Sequence, residues 1–243
     1  MNWKKITLFK YQQIETINAD KKFDELEKVL FSACVAFGLT EQEMDAKGLK
    51  QVAKMIKRIK RLFTTSPAVL IPKRIGRYWV LYDVSRFTFG QYVELAFFLQ
   101  QPTKNMHYIL ASCSRRLLRK YATTGHPARA DRFLGCRMEQ AVGAVKVIKE
   151  RFEAFNGEYK SLFGLSDDVH SQQAKVDRFN QRYGWTYSAS AIADYERIPL
   201  EAVYALSVRQ AFNDLMFIKA RGEYEIRERN RLMKEFKMQN HGG

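Results

Sequence analysis

The sequence predicts a mainly α-helical fold with an N-terminal αα-hairpin and one short β-hairpin or strand pair near residues 69–84, on three observations. Apolar residues recur at intervals of three and four over most of the 243 residues, the spacing of a single buried helix face. Ser, Thr and Gly stand at the edges of these periodic stretches, where helix caps belong. One segment only, Arg77 to Val84 (RYWVLYDV), concentrates β-branched and aromatic residues as strands do.

Taken in order, Ile6 to Ile17 reads as a short strand followed by a turn or helix. Phe23, Leu26, Leu30, Ala33 and Phe37 share a helix face that Gly38 terminates. Thr40 and Glu43 form a capping-box pattern for a helix continuing through Leu49, Val52, Ile56 and Ile59 to Phe63, before Ser66-Pro67. These helices make the αα-hairpin, and the chain divides into 1–66, the hairpin module, and 67–243, a mainly helical domain with short strands at its start. Thr88 caps a helix through Leu99, closed by Pro102, and Asn105 to Tyr121 predicts the next. A loop at 122–127 leads into a long helix over Arg132–Phe163, in which Gly143 allows close packing. A polar helix from Ser166 ends at Gly184, and a short helix spans Trp185–Tyr195. Pro199 suits a first helical turn, and Ser207 caps a last helix through Phe236 whose second half is densely charged.

The chain is 46% hydrophobic and 13% aromatic, enough apolar area for a sizeable core. No apolar run reaches the ~18 residues of a membrane span, and Met1–Lys10 lacks the apolar centre of a signal peptide. The protein is expected to stay in the compartment where it is made. Cys34, Cys113 and Cys136 are widely spaced, which predicts reduced, partly buried thiols and no metal site.

Formal net charge is +15, which points to an acidic partner. Between Lys47 and Arg77 stand ten basic residues, Lys47, Lys50, Lys54, Lys57, Arg58, Lys60, Arg61, Lys73, Arg74 and Arg77, and no acidic one. Lys47, Lys50, Lys54, Lys57 and Arg61 share helical spacing and line one face. A second group comprises Arg115, Arg116, Arg119 and Lys120, followed by Arg129 and Arg132. Both flank Tyr78, Trp79 and Tyr82, which offer stacking surfaces. Phosphate-backbone binding is one reading of this pattern; a solvated face, or one neutralised in an assembly, is the other.

Nothing in the sequence argues for catalysis. HExxH, GxxxxGK, GxGxxG and GxSxG are absent. Asp167, Asp168 and His170 lie close together, but adjacent acids at a helix start are normally charge complements to the helix dipole. His126, in Gly125-His126-Pro127, reads as a loop histidine before a catalytic base. No catalytic residue, metal or cofactor is expected.

Two further segments are distinctive: Asp83–Leu95 (DVSRFTFGQYVEL) and Arg182–Val208 (RYGWTYSASAIADYERIPLEAVYALSV), the latter followed by a helix ending in a charged run. Together, over about 40 of 243 residues, they resemble small proteins encoded among the structural and tail-assembly genes of tailed bacteriophages, tail assembly chaperones among them. The high positive charge departs from that pattern and keeps open a nucleic-acid-facing or virion-embedded role. The resemblance implies a non-catalytic protein that covers helical, apolar segments of a tape-measure protein and recruits tail-tube subunits, by helix-in-groove docking. Tyr92, Phe97 and Phe98, with Phe212, Met216 and Phe217 on the final helix, are the candidate apolar contacts; intramolecular core is the competing reading for them. The partners expected are phage structural or tail proteins, in an oligomer or alone. The alternative function is a basic nucleic-acid-binding protein associated with the virion.

Overall fold

The computed structural model of the chain describes residues 3–65, 68–116, 126–163 and 173–241. Over these residues the fold is mainly α-helical, with eleven α-helices and one three-stranded antiparallel sheet, as the sequence predicts. The expected break at Ser66-Pro67, the basic residues Arg119 and Lys120, the loop residues 122–125 and the group Asp167, Asp168 and His170 lie outside the described residues. The chain forms two compact units, one of Met1–Tyr82 with Glu94–Arg151, the other of Asp83–Val93 with Phe152–Gly243.

The first unit opens with α1 (Leu8–Ala19), capped by Thr7, whose Oγ1 accepts from the Lys10 amide at 3.3 Å. The strand expected before it is reduced to one bridge, Thr7 to Arg137. The next helix, α2 (Glu25–Phe37), starts from a reciprocal Asp24–Glu27 capping box. It stops at Gly38, which takes the left-handed φ of 70° that glycine adopts without a Cβ penalty. Leu39 N–H then donates to Cys34 O at 2.9 Å, satisfying an end carbonyl. The Thr40–Glu43 capping box is present, at 3.2 and 2.8 Å, but opens only the short α3 (Glu41–Asp45).

The continuous helix expected to Phe63 is broken at Gly48, which begins α4 (Leu49–Phe63) without a side-chain cap. Glycine costs roughly 1 kcal/mol in a helix interior, so the break falls there. Two corrections follow. Lys47 lies in the turn between α3 and α4, off the basic helix face. The buried face of α4 centres on Ile59 and Leu62, while Leu49, predicted to be core, is 89% exposed.

The expected hairpin forms from β1 (Arg74–Ile75) and β2 (Tyr78–Val80), turning at Gly76 with φ 57°. Two of the next helices are α5 (Phe89–Phe98), which belongs partly to each unit, and α6 (Pro102–Ser112). The sequence reads the residues after α6 as helix to Tyr121. Instead β3 (Ser114–Arg116) pairs antiparallel with β2. The open edge of β2 presents unpaired backbone groups, and Leu81 N–H already anchors Cys113 O at 2.7 Å. Long-range pairing thus overrides the local helical pattern.

The long helix expected over Arg132–Phe163 is shortened to α8 (Met138–Glu158), with a 3-10 turn at Lys160–Phe163 after it, and a separate short helix, α7 (His126–Asp131), precedes it. Turns around Gly135 separate them, and Met138 N–H donates to Ile6 O at 3.0 Å. On α8, Gly143 meets the crossing backbone of Leu70, and Leu70 N–H donates to Glu139 O at 3.3 Å.

The second unit contains α9 (Gln173–Glu196), the short α10 (Leu200–Val203) and α11 (Val208–His241). Gly184 does not end a helix; α9 runs through it, because Ala189 and Ile192 beyond it are fully buried and that burial exceeds one glycine's cost. Ser207 caps α11 as expected, its Oγ accepting from Gln210 N at 3.2 Å. The core here is aromatic: Phe212 packs on Phe89, Tyr92, Phe155 and Tyr159 with ring centres 4.8 to 6.4 Å away.

Candidate functional site

The sheet of the first unit assembles basic and aromatic side chains from three strands. Register places Arg74 opposite Trp79 and Trp79 opposite Arg115, and directly opposed residues share a sheet face. On this face Trp79 is 38% exposed, with the Arg74 guanidinium 5.4 Å from its ring centre. The other face carries Ile75, Tyr78 and Arg116, also in register. Of the three predicted stacking residues, only Trp79 is accessible. Tyr78 is buried, and the half-buried Tyr82 donates its hydroxyl to Pro72 O at 2.6 Å, with burial pushing its pKa up to about 12.

Beside Tyr78 opens a cleft of about 660 Å³. Arg77, Arg116, Arg132 and Arg137 line it, and among the described residues no carboxylate does. Arg132 donates to the Tyr78 hydroxyl at 2.8 Å, and the Arg116 guanidinium lies 5.6 Å from the Tyr78 ring centre. Burial alone would raise the Tyr78 pKa; hydrogen bonds from Arg132 and Arg116, with their positive charge, bring it below the usual phenol value. Among the described residues no ion pair joins a carboxylate to these four arginines. Cys136 also lines the cleft, but burial holds its thiol near 12, so it stays protonated at neutral pH.

The structure therefore joins Arg74, Arg77, Arg115 and Arg116 around the sheet. Arg132 and Arg137 complete the cleft although they lie far off in sequence. Sequence runs of basic residues point to the first four and, just after the second run, to Arg132; Arg137, an isolated arginine before α8, carries no such signal. The remaining predicted cations, Lys50, Lys54, Lys57, Arg58 and Arg61 on α4 and Lys73 before β1, are all exposed. Lys50, Lys54, Lys57 and Arg61 do form one stripe by helical spacing. Arg119 lies outside the described residues.

The apolar candidates separate into two kinds. Tyr92 and Phe212 are buried in the aromatic core of the second unit, and the Tyr92 hydroxyl donates to Asn156 Oδ1 at 2.7 Å. They are core residues, not contacts. Phe98 is half-buried and stacks on Tyr108 with centres 4.8 Å apart. Phe97, Met216 and Phe217 are exposed. The sequence reading missed the apolar residues further along α11. Ile226, Leu232, Met233 and Phe236 are all exposed, Phe236 at 65%. Ile226, Met233 and Phe236 recur at intervals of seven and three, with Leu232 one turn before Phe236; this places them on one side of the helix. Their periodicity is the signal that could have found them, masked by the charged residues between.

His126 is not a loop residue but the buried first residue of α7. Its Nε2 lies 3.0 Å from Ser112 Oγ and 3.7 Å from Glu94 Oε2. A Ser-His-acid relay needs the two partners on opposite ring nitrogens; here both face the same one, and Ser112 is fully buried. Burial, then the charges of Arg129 and His107, push the His126 pKa down to about 4. An unfolded imidazole titrates near 6.5, so the unfolded chain takes the proton first. The stabilisation is complete above pH ~6.5 and lost as pH falls toward 4. The unfolding free energy of the first unit, measured by urea denaturation, should fall across this window by up to about 3 kcal/mol more than in a His126→Phe variant.

No protein-family model, no curated protein and no solved structure matches the chain. Among the described residues, no helix is long and apolar enough to cross a membrane.

Proposed function

We propose that this chain is a non-catalytic assembly protein of a tailed bacteriophage, acting through protein contacts as a tail assembly chaperone that covers apolar helical segments of a tape-measure protein. It acts in the host cytoplasm. The observation that carries the reading is the far half of α11, where Ile226, Leu232, Met233 and Phe236 present an exposed apolar side on a helix otherwise crowded with charge. An amphipathic surface of this kind takes up a second amphipathic helix.

The coherence of the two resembling segments supports the same reading. They lie more than 80 residues apart in sequence yet form one backbone junction: Phe89 N–H donates to Leu206 O at 2.8 Å, Gly90 N–H to Tyr204 O at 3.0 Å, and Val208 N–H to Phe87 O at 2.9 Å. Gly90 sits close against this junction: a Cβ there would lie 3.1 Å from Tyr204 O, so that backbone would have to shift by a few tenths of an ångström. The residues that carry the resemblance are therefore those that seat the start of α11.

Co-expression with the tape-measure protein encoded in the same genome tests the proposal. The chain should keep that protein soluble and co-elute with it. An Ile226→Glu/Phe236→Glu double variant should lose at least tenfold in affinity, the scale of two interface anchors at above ~1 kcal/mol each. A chain that remains an inert monomer beside every tail protein contradicts it.

A further inference from the structure

We propose that the first unit binds single-stranded nucleic acid, with backbone phosphates held in the arginine cleft and a base stacked on Trp79. The site goes beyond the chaperone reading, since it uses none of the residues of α11.

The cleft is built for oxyanions. Arg77, Arg116, Arg132 and Arg137 converge on it, and among the described residues no acid lines it. Four guanidinium groups without a counter-charge repel one another, and a bound anion removes that repulsion. Guanidinium forks match phosphate oxygens in pairs, and unlike lysine they do so with fixed geometry. Cys136, Arg137 and Gln140, around the start of α8, form one wall, so the positive end of that helix adds to the field. Tyr78 and Phe133, with ring centres 5.2 Å apart, give the site an apolar floor.

Charge alone would suit an acidic protein equally well. Trp79 decides between the two. It is exposed in a row between Arg74 and Arg115, on the outer face of the strands whose inner face borders the cleft. An exposed indole flanked by cations is a stacking platform for a base, and an acidic peptide has no use for it. Both faces meet at the hairpin turn of Gly76 and Arg77, where a flexible single strand can pass from one to the other. A duplex cannot, because its bases are already stacked. The stripe of Lys50, Lys54, Lys57 and Arg61 on α4 would add attraction without sequence preference.

The test is fluorescence anisotropy of the full chain with a fluorescein-labelled oligothymidine of about 20 nucleotides, across a salt series. Four arginine–phosphate contacts predict a slope of log K against log salt near −2.8, or roughly a 50-fold loss between about 50 and 200 mM salt. Arg77→Gln/Arg137→Gln, both exposed positions, should retain the parent circular dichroism and bring the slope to about −1.4. Trp79→Ala should weaken binding roughly 5- to 150-fold, and Trp79→Phe by less. Five results would overturn the proposal: no binding at the lowest salt, a slope unaffected by the arginine pair, no response to either Trp79 variant, equal affinity for a duplex, or displacement by polyglutamate as effective as by unlabelled oligothymidine. The last would assign the cleft to an acidic protein, and equal affinity for a duplex would likewise remove the stacked base.

Discussion

Gly143→Ala should destabilise the first unit, by about 1–3 kcal/mol or more. The sign is the informative part. In an exposed helix the same change stabilises by roughly 1 kcal/mol, because alanine restricts the unfolded chain. Here an added Cβ would fall 2.5 Å from the Leu70 carbonyl carbon and closer still to its oxygen. The neighbour is backbone, which cannot rotate away as a side-chain tip can. The stretch from 68 to β1 must therefore lift off α8, breaking the 3.3 Å bond from Leu70 N–H to Glu139 O. Equilibrium urea unfolding gives the energy, and hydrogen exchange gives the place: Leu70 should lose protection while the second unit keeps its own. A stabilised Gly143→Ala variant would show that this crossing is not made.

Phe212→Ala should cost about 3–5 kcal/mol, the range for truncating a fully buried aromatic ring. Phe212 has no exposed surface and touches rings from α5, α8 and α9 as well as Tyr159; Trp185 of α9 lies parallel to it at 6.4 Å. Its loss removes the buried ring contacts of α11 with these elements. Because the chain has two units, the transition should be followed by a probe within the second, such as Trp185 emission with Trp3 and Trp79 replaced. Phe217, on the same helix but exposed, with its ring tilted against Tyr195 at 5.4 Å, should cost under about 1 kcal/mol on truncation. The contrast separates core from surface on one helix, a separation that the sequence reading of Phe212, Met216 and Phe217 left open.

What the sequence made legible was local chemistry. Gly38 ends α2, Thr40 pairs with Glu43, and Thr88 and Ser207 cap α5 and α11 because each acts within four residues of itself. A hairpin within residues 69–84 was legible from its aromatic and β-branched strand, but not its turn at Gly76. What was not legible depends on distant partners. Ser114–Arg116 is a strand only because β2 offers an edge, and Gly184 sits within a helix only because the residues beyond it are buried. The site follows the same division. Arg74, Arg77, Arg115 and Arg116 stood out as members of basic runs, but their convergence with Arg132 and Arg137 arises from strand register and the turns before α8. On α11, charge density drew attention away from the apolar residues spaced between the charges.

The proposed function rests on apolar helix-on-helix contact along α11, and that contact has a thermodynamic signature. Burial of apolar surface gives a negative heat-capacity change, whatever the sign of the enthalpy. Titration calorimetry of the chain with amphipathic helical segments of the proposed tape-measure partner, at several temperatures, tests this directly. Saturable binding with a negative heat-capacity change is expected, both abolished by Ile226→Glu/Phe236→Glu. Absence of binding, or binding with no heat-capacity change that the double variant leaves intact, would contradict it.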